Sequence, residues 1–373
     1  MTQTRRILVI GGGIGGLTAA IAMRRQGIEV DLIERDPDWS VYGVGIIQQS
    51  NVIRAMAELD LLDEYLDAGC GFDQVEIYIP TGQQVATVPS PQLVPGKPAN
   101  VGIGRRALQK VLADRAIGSG THIRLGITAS DLLDDGSGVD VCFSDGGTAR
   151  YDAVIAADGI YSVHRKQLFP DAPAPEFTGQ SVWRYNFPRP ANLTGLCVFN
   201  GPIGIGLVPM SRELMYMFVT TPEPDNRWYD KADLAAAMRD KLAGVPAPQI
   251  RALAAAITDN DGVVYRPLET FFLEGPWHKG RIALLGDAVH STTPHLGQGA
   301  GMAIEDAIVL AEELAAHDEL AAAFEAYRAR RFDRCRYIVQ SSRAICDGQI
   351  GRGPPVDNHA ATVGMFEVVA KAI

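Results

Sequence analysis

The residues with the clearest chemistry are glycines and acids that follow short apolar runs. The first set is Gly11-x-Gly13-x-x-Gly16, within GGGIGG, and the acid Glu34 follows 18 residues after the last glycine. At this spacing Gly11 permits a tight turn, Gly13 lets the backbone approach a pyrophosphate, and Gly16 lets a helix pack closely on a strand. Glu34 can accept hydrogen bonds from both hydroxyls of an adenosine ribose. The set predicts a dinucleotide site, and the alternative is a glycine-rich packing turn.

Three elements must position these residues. RRILVI is a short apolar run that predicts a strand, LTAAIAMRRQG predicts a helix ended by Gly27, and EVDLIE predicts a second strand that ends on Glu34. The free N–H groups and positive dipole of the helix would face the phosphates. The same segment could be mistaken for an export signal, but five glycines in positions 11 to 16 would weaken a signal helix.

Two later stretches repeat the pattern of a strand that runs into glycine or aspartate. DAVIAADGIYSVHR (152–165) ends its apolar run at Asp158-Gly159, and IALL (282–285) leads into GDAVHSTTPHLGQGAGMAIEDA (286–307). The first fingerprint alone does not separate FAD from NAD. Three such sites exceed what a dinucleotide dehydrogenase needs, and they suit a longer cofactor with a sugar-alcohol chain and a second ring system.

In this order, and over nearly the whole chain, the motifs resemble those of the single-component FAD-dependent aromatic hydroxylases, the family whose type member acts on para-hydroxybenzoate. The resemblance implies an α/β fold: a Rossmann-like FAD-binding domain of the glutathione reductase type, an inserted mixed β-sheet substrate domain and C-terminal helices. It also implies that NADH or NADPH transiently reduces the FAD. A flavin C4a-hydroperoxide formed with O2 would then transfer one oxygen atom to a small aromatic substrate in a dry pocket.

The resemblance assigns cofactor contacts to residues from each motif. Arg105, in IGRRALQKVL (103–112), would serve the FAD phosphate or ribose region, and Asp287 would bond a ribityl hydroxyl. The helix after the last motif would aim its N-terminus at the flavin N1 and C2 oxygen. The full set of predicted cofactor-binding residues is Gly11, Gly13, Ile14, Gly15, Gly16, Glu34, Arg35, Gly45, Ile46, Arg105, Asp158, Gly159, Arg165, Gly286, Asp287, Pro294, Gly297, Gln298, Gly299, Ala300 and Gly301.

Three positions depart from the family pattern. Gly301 stands where many members have Asn, Tyr161 where a charged residue is usual, and His164 where an apolar residue is usual. The choice between NADH and NADPH is open.

Further along, Glu305 and Asp306 are predicted to be helix-end charges.

Four residues are candidates for substrate chemistry. His295 is predicted to contact a substrate hydroxyl or relay a proton, and its alternative is a histidine bonded to the backbone. Arg184 could hold a substrate carboxylate, and its alternative is a solvated charge on a sheet edge. Tyr185 and Tyr216 could point into the pocket, and core packing is their alternative.

Strand-like and helical pieces divide the chain into three predicted parts. Residues 1–71, 101–175 and 277–340 are predicted to form the FAD-binding domain. Residues 72–100 and 176–276 are predicted to form the substrate-binding domain, and residues 341–373 a C-terminal helical tail.

Composition excludes several classes of protein. The 373 residues are 47% hydrophobic and 21% charged, as in a globular enzyme, and the net charge of −10 argues against nucleic acid or an anionic membrane as partner. The basic run RARRFDRCRY (328–337) is predicted to be a solvated helix face. The five cysteines and seven histidines lack the spacing of a metal site. The cysteines are therefore expected to be small buried hydrophobes. Their use also predicts a reducing, cytoplasmic environment. The protein is expected to be a monomer or homodimer.

Two other functions share every FAD motif. One is a flavoprotein reductase or oxidase on the same scaffold, which would reduce the flavin without inserting oxygen. The other is a flavin-binding protein without efficient turnover, which NAD(P)H would reduce only slowly.

Overall fold

The computed structural model describes residues 5–373, so the first four residues of the predicted FAD-binding segment lie outside it. Over these residues the chain forms ten α-helices: α1 (Ile14–Arg25), α2 (Ser50–Glu58), α3 (Leu62–Asp67), α4 (Arg105–Gly118), α5 (Val163–Leu168), α6 (Leu234–Leu242), α7 (Pro248–Ala255), α8 (Gly299–Ala316), α9 (Leu320–Gln349) and α10 (Asn358–Ala370). In this part of the chain, no helix combines the length and apolar character needed to cross a membrane.

The strands of the same residues are β1 (Arg6–Ile10), β2 (Glu29–Glu34), β3 (Gly45–Gln48), β4 (Gly69–Phe72), β5 (Gln74–Tyr78), β6 (Gln84–Pro89), β7 (Asn100–Gly104), β8 (His122–Leu125), β9 (Ala129–Asp134), β10 (Val139–Phe143), β11 (Thr148–Tyr151), β12 (Ala153–Ala156), β13 (Glu176–Pro188), β14 (Leu196–Phe199), β15 (Gly204–Pro209), β16 (Leu214–Pro222), β17 (Val264–Phe272), β18 (His278–Lys279), β19 (Ile282–Leu284) and β20 (His290–Ser291). The predicted first unit of strand, helix and strand is confirmed as β1, α1 and β2.

A six-stranded sheet carries all three predicted motifs at one edge. Its order is β18-β19-β12-β1-β2-β8, and its strands are parallel except for β18. The turns after β1, β12 and β19 therefore emerge side by side, because the carboxyl ends of parallel strands share an edge. Strands β12 and β19 are fully buried, and β1 is buried from Ile7 to Ile10, as expected for a parallel sheet covered on both faces. The predicted α/β class with a Rossmann-like sheet is confirmed.

An eight-stranded mixed sheet joins the two predicted substrate segments. Its order is β20-β17-β13-β16-β15-β14-β5-β6, so β5 from residues 72–100 pairs with β14 from residues 176–276, and β6 pairs with β5 at the edge. One face packs on α6 and α7 through a second apolar core that includes Trp183, Met217 and Met238. Arg184 and Tyr216 lie on the opposite face, because successive residues of a strand alternate between faces. The alternative for Arg184, a solvated charge on a sheet edge, is wrong, since β13 has neighbouring strands on both sides at this residue.

The small sheet β3-β7-β4 connects the two larger layers. A Cβ atom at Gly102, on β7, would lie 1.9 Å from the carbonyl oxygen of Pro209, and one at Gly45, on β3, would lie 2.2 Å from the ring of Tyr216. Glycine is required at both positions because backbone and ring approach so closely. Gly45 therefore contacts the eight-stranded sheet, while Ile46, next to it, packs partly on the main core.

Helix α9 bears on two expectations, one about the division of the chain and one about charge. Helix α9 runs for 30 residues through the predicted division at residue 340. The basic run at 328–337 lies within it, and Arg331 is 0% exposed, so the prediction of a solvated face is wrong for that residue. A run of ten helical residues passes around the whole helix surface, and some of its members must face the core.

The cysteines follow the prediction in part. Cys197, Cys335 and Cys346 are buried, Cys70 is half-buried, and Cys142 is exposed. Cys142 lies at an outward position of β10, whose burial alternates along the strand. The expectation of a buried hydrophobe is therefore wrong for Cys142.

Candidate functional site

The turn between β1 and α1 has the geometry that its glycines predict. Gly11 has φ of +111°, and a Cβ atom there would lie 2.4 Å from the carbonyl oxygen of Ala157. A Cβ at Gly16 would lie 1.9 Å from the oxygen of Gly11, so the helix packs directly against the turn. A Cβ at Gly13 would have no heavy atom of residues 5–373 within 4 Å. The turn is thus closed against protein at Gly11 and Gly16 and open at Gly13.

The start of α1 offers unpaired donors beside this open position. Gly13 is its N-cap without a side-chain hydrogen bond, Ile14 is its first residue, and its first turn contains no acid. The first N–H groups of a helix have no partner within the helix, so they are free for an anion. Gly15 serves another purpose: a Cβ there would lie 2.8 Å from Leu285 and 3.3 Å from Ala303, so Gly15 allows α1 to cross α8.

Glu34 is held at the end of β2 by two backbone amides. Its Oε2 accepts a hydrogen bond from the N–H of Gly12 at 2.7 Å, and its Oε1 accepts one from Asp36 at 2.9 Å. Each oxygen keeps a lone pair for a ribose hydroxyl. Trp39 also covers the turn, since its Nε1 donates to the oxygen of Gly12 at 2.8 Å. No pattern in the sequence points to Trp39. Arg35, which follows Glu34 and is also predicted to bind the cofactor, is exposed.

The motif after β12 contains a hydrogen-bonded pair of aspartate and histidine that accounts for one departure from the family pattern. Asp158 Oδ2 accepts hydrogen bonds from the backbone N–H of Val163 at 3.0 Å and from His164 Nδ1 at 2.8 Å. Burial alone would raise the pKa of Asp158, but His164 outweighs burial and the pKa is lowered. Asp158 Oδ1 is buried without a hydrogen-bond partner among residues 5–373. Gly159 follows with φ of +83°.

The other two residues singled out in this motif lie away from the open part of the turn. Arg165 is buried and donates to the carbonyl oxygens of Ala288 at 2.9 Å and Ile160 at 2.7 Å, so it joins this motif to the one after β19. Its guanidinium is thus occupied by protein, in contrast to the predicted cofactor contact. Tyr161 is 60% exposed and hydrogen-bonds Glu269.

The motif after β19 presents a carboxylate to the same edge of the sheet. Gly286 has φ of +65°, and Asp287 follows in a 3-10 turn with an exposed side chain. Surrounding protein raises the pKa of Asp287, while the charges of His290 and Arg105 act in the opposite direction. We define the cleft as the space between this edge and the face of the eight-stranded sheet that carries Arg184 and Tyr216.

The last stretch of the motif forms a tight turn before α8. Pro294 begins a 3-10 turn, Gly297 has φ of +67°, and Gly299, Ala300 and Gly301 form the first turn of α8. The side chain of Gln298 is buried and exchanges two hydrogen bonds of 3.0 Å with the amide of Asn51. A Cβ at Gly301 would lie 3.2 Å from that amide nitrogen, so Asn51 occupies space beside the glycine that departs from the family pattern.

Two arginines face the cleft without a hydrogen-bond or ion-pair partner for their guanidinium groups among residues 5–373. Arg105 is the first residue of α4, and the charges of both arginines act to lower the pKa of Tyr216. Burial, with the nearby charge of Arg105, lowers the pKa of Arg184 to about 10, and burial lowers the pKa of Arg105. Among residues 5–373, neither guanidinium has a carboxylate within ion-pair distance. Both remain protonated at neutral pH, so the cleft is electropositive in a chain of net charge −10.

Tyr216 and Tyr185 are on opposite faces of the sheet. Tyr216 is buried beside Met210 and near both arginines, and burial raises its pKa to about 12. Tyr185 packs on the second core, with its ring 5.0 Å from that of Phe187. The structure therefore brings Tyr216 to the cleft and gives Tyr185 its alternative role in core packing.

His295 is engaged at both ring nitrogens. Nδ1 lies 2.8 Å from the hydroxyl of Thr293, and Nε2 lies 3.1 Å from Gln349 Oε1 at the end of α9. Since the amide oxygen can only accept, Nε2 carries the hydrogen and Nδ1 accepts from Thr293. Burial lowers the pKa of His295 to about 4, so the ring is neutral at neutral pH.

This shift predicts a pH-dependent contribution to stability. The unfolded chain binds the proton near pH 6.5 and the folded protein only near pH 4, so the stabilisation is complete above pH 6.5 and is lost as the pH falls. The wild-type protein loses stability between pH 7 and pH 4.5 because His295 takes up a proton in the unfolded chain and stays mostly neutral in the folded protein. His295→Gln can keep both hydrogen bonds and should lose about 2 kcal/mol less over this range, allowing for partial exposure. Chemical unfolding of the apoprotein at both pH values measures this. Parallel losses in the two proteins would contradict it.

A buried ion-pair network lies beneath the cleft. Arg331, on α9, pairs with Asp306 at 2.8 Å and with Glu305 at 2.8 Å, and Asp306 bonds His290 Nε2 at 2.6 Å. Glu305 also pairs with Arg334 at 3.0 Å. The prediction that Glu305 and Asp306 are helix-end charges is wrong, because both are buried in the second and third turns of α8. The sequence offers one signal for this pairing: the basic run at 328–337 follows Glu305 and Asp306 by about the length of one helix.

His290, Asp306 and Cys335 also form a group with ligand atoms within 4.8 Å of one another. Arg331 donates to both Asp306 and Cys335. A divalent cation placed there would be repelled by this buried guanidinium. The group is therefore better described as part of the ion-pair network than as a metal site.

The residues around the cleft fit an anionic cofactor with a flavin. The N-termini of α1, α4 and α8 lack side-chain caps and have no acid in their first turns. Arg105 opposes the dipole of its own helix, an arrangement that an anionic ligand would relieve. Gly13 leaves room for phosphate, Glu34 has acceptors for ribose, and Asp287 is an acceptor open to the cleft.

Comparison with known proteins agrees with this fit. A family model described as an FAD binding domain matches residues 4–342. The chain is 33% identical to an aurachin C monooxygenase/isomerase of Stigmatella aurantiaca, over 93% of this chain and 89% of that protein. It is 31% identical to an FAD-dependent urate hydroxylase of Klebsiella pneumoniae, over 92% of this chain and 90% of that protein. The crystal structure of Klebsiella pneumoniae HpxO with FAD and uric acid superposes with a TM-score of 0.84 at 29% identity, over 99% and 94% of the two chains.

Proposed function

Because the chain belongs to the FAD binding domain family and is an FAD-dependent monooxygenase, we propose that it hydroxylates a small aromatic or heteroaromatic ring that binds as an anion. NADH or NADPH would supply the electrons, and O2 would supply the inserted oxygen atom. The proposal rests on one observation above all: Arg184 lies in the middle of a sheet, on the face toward the cleft, and has no anionic partner among residues 5–373.

The sheet face around Arg184 suits a flat ring. Val182 and Asn186 lie two residues before and after it, Phe218 is directly opposite it, and Tyr216 is opposite Asn186. Arg184 can bond an oxyanion or a deprotonated nitrogen of the ring, while the apolar neighbours contact its faces. A phenolate or a deprotonated lactam is also the electron-rich form of such a ring, so binding the anion favours the reactive form.

Bound FAD would supply the redox chemistry that activates oxygen. The protein positions this chemistry through groups at the cleft edge: Asp287 as an acceptor and the N-terminus of α8 as a positive dipole. A ring that covers the apolar sheet face also excludes water from the cleft. His295 has both nitrogens occupied, so we propose a role in holding the turn after Pro294 and assign no proton transfer to it.

The urate hydroxylase among the relatives supports a heteroaromatic substrate. Uric acid is a flat, weakly acidic ring system, the kind of molecule that a partnerless arginine on an apolar face would select. We therefore place hydroxylated N-heteroarenes first among candidate substrates and simple phenols second.

The test is anaerobic stopped-flow reduction of the FAD-loaded protein by NADH and by NADPH, with and without members of these two classes, followed by mixing with oxygen. We expect one class to accelerate reduction and to give an oxygenated product. Reduction that yields only hydrogen peroxide with the whole panel would support the reductase or oxidase alternative.

The opposite positions of the two tyrosines give a matched pair of variants. Tyr216→Phe should raise KM for the substrate about fivefold, because it removes a hydroxyl near both arginines. Tyr185→Phe should leave KM unchanged, since Tyr185 lies on the other face. Steady-state kinetics of both variants measure the difference, and equal effects would place the substrate elsewhere.

A further inference from the structure

We propose that Asp306 is a positioning residue for the FAD-binding turn at Gly286–Asp287, which it anchors to helix α9. Asp306 is fully buried, so it does not line the cleft. Among residues 5–373, its side chain contacts one predicted cofactor-binding residue, Gly286, through the backbone N–H. It would therefore act through Asp287, and the inference rests on the proposed role of Asp287 in binding FAD.

The contacts of Asp306 come from both sides of Asp287. Its Oδ2 accepts a hydrogen bond of 3.3 Å from the N–H of Gly286 and one of 2.6 Å from His290 Nε2. Gly286 immediately precedes Asp287, and His290 follows it by three residues. One carboxylate oxygen thus holds both ends of the turn that presents Asp287.

The carboxylate is itself fixed by α9. Its Oδ1 accepts from Arg331 Nε at 2.8 Å, and Asp306, Arg331 and His290 are all fully buried. Burial alone would raise the pKa of Asp306, but His290 and Arg331 hold the pKa down at about 2. Hydrogen bonds to a buried charge are short and strong, so the three groups have little freedom to move.

The turn needs such an anchor because its backbone is glycine. Gly286 has φ of +65°, in the left-handed region where glycine alone among common residues is unstrained. Glycine there permits the turn without holding it in one conformation. We infer that Asp306 supplies the constraint, and that Asp287 consequently meets FAD in a preorganised position.

A purely structural role is the competing explanation, because losing one partner of a buried ion pair destabilises a protein. The double variant Asp306→Leu/Arg331→Met separates the two. It replaces the charges of Asp306 and Arg331 by apolar side chains, a change that is often neutral for stability. His290 loses the carboxylate that raises its pKa, so burial then favours the neutral imidazole. Glu305 keeps Arg334 and Arg54 as partners. The hydrogen bond to Gly286 is nevertheless lost.

The experiment is a double-mutant cycle between this pair and Asp287→Asn, with the FAD dissociation constant of each apoprotein as the readout. Relative to wild type, we expect Asp287→Asn to weaken FAD binding about 30-fold and the double variant to weaken it about tenfold. The triple variant should weaken it by the same factor as Asp287→Asn alone, about 30-fold. Independent effects would multiply to about 300-fold in the triple variant. The apoprotein Tm of each variant, measured alongside, reports any loss of fold.

A second ion pair on the same two helices provides the control. Arg330 pairs with Glu313 at 2.7 Å, next to the network but without contact to Gly286. Arg330→Met/Glu313→Gln should leave the FAD dissociation constant within about twofold of wild type. If the Asp306 pair fails to fold, His290→Gln, which keeps Asp306 and Arg331, takes its place with an expected threefold loss that is also non-additive with Asp287→Asn.

The outcomes separate the inference from the proposed site. Wild-type FAD affinity in Asp287→Asn would overturn both the role of Asp287 and the inference. A normal defect in Asp287→Asn, together with wild-type affinity in the Asp306 variants or a multiplicative loss in the triple variant, would overturn the inference alone.

Discussion

Gly13→Val should lower the affinity for FAD by about 100-fold or more, equivalent to at least about 2.7 kcal/mol, while the apoprotein keeps its Tm. In the described part of the chain, no heavy atom lies within 4 Å of a Cβ at this position, so the fold accommodates a side chain. Gly13 has φ of −76°, which any residue can adopt. The added side chain would instead occupy the space that the pyrophosphate needs beside the free N–H groups of α1.

Two other glycines make the comparison specific. Gly118→Val also places a side chain in open space, at the end of α4, and should change neither Tm nor FAD affinity. Gly16→Ala should lower both, because its Cβ would lie 1.9 Å from the oxygen of Gly11. Tm must be compared without FAD, since bound ligand raises it by mass action. Wild-type affinity in Gly13→Val would remove the phosphate site from this turn.

Arg184→Met should raise KM for an anionic aromatic substrate about 100-fold and leave FAD affinity within about threefold of wild type. The lost interaction is a charge-assisted hydrogen bond in a partly buried cleft, which is stronger than one at the surface. Arg184→Lys keeps the charge and should recover part of the effect, but its single ammonium does not reproduce a bidentate contact.

The substrate and the variant must both be controlled. A neutral analogue of the same ring should bind wild type and Arg184→Met with similar KM values, because neither protein gains from a charge on the ligand. Arg212→Met, at an exposed turn, should leave all constants unchanged. An unchanged KM in Arg184→Met with the anionic ring would contradict the proposed substrate site. A large loss of FAD affinity would reassign Arg184 to the cofactor.

The contact partners of the buried charges were beyond sequence analysis. The basic run at 328–337 and the acids Glu305 and Asp306 each match a common surface pattern. Their pairing arises because α9 packs on α8, and the sequence contains no local signal for which residue of a run faces inward. His164 is similar: it departs from the family pattern, and only the position of Asp158 beside it explains the imidazole.

Sequence alone determined the elements whose signals are local. Glycine spacing, apolar runs and helix-ending glycine specify the strands and turns of the cofactor edge, because φ preferences and steric limits act within a few residues. Tertiary structure decided which charges are buried, which face of β13 carries Arg184, and why Asn51 lies beside Gly301. These depend on how distant segments meet. Burial and pairing energies are set by neighbours that can lie more than 250 residues apart in the chain, as Asn51 and Glu305 do at a separation of 254 residues.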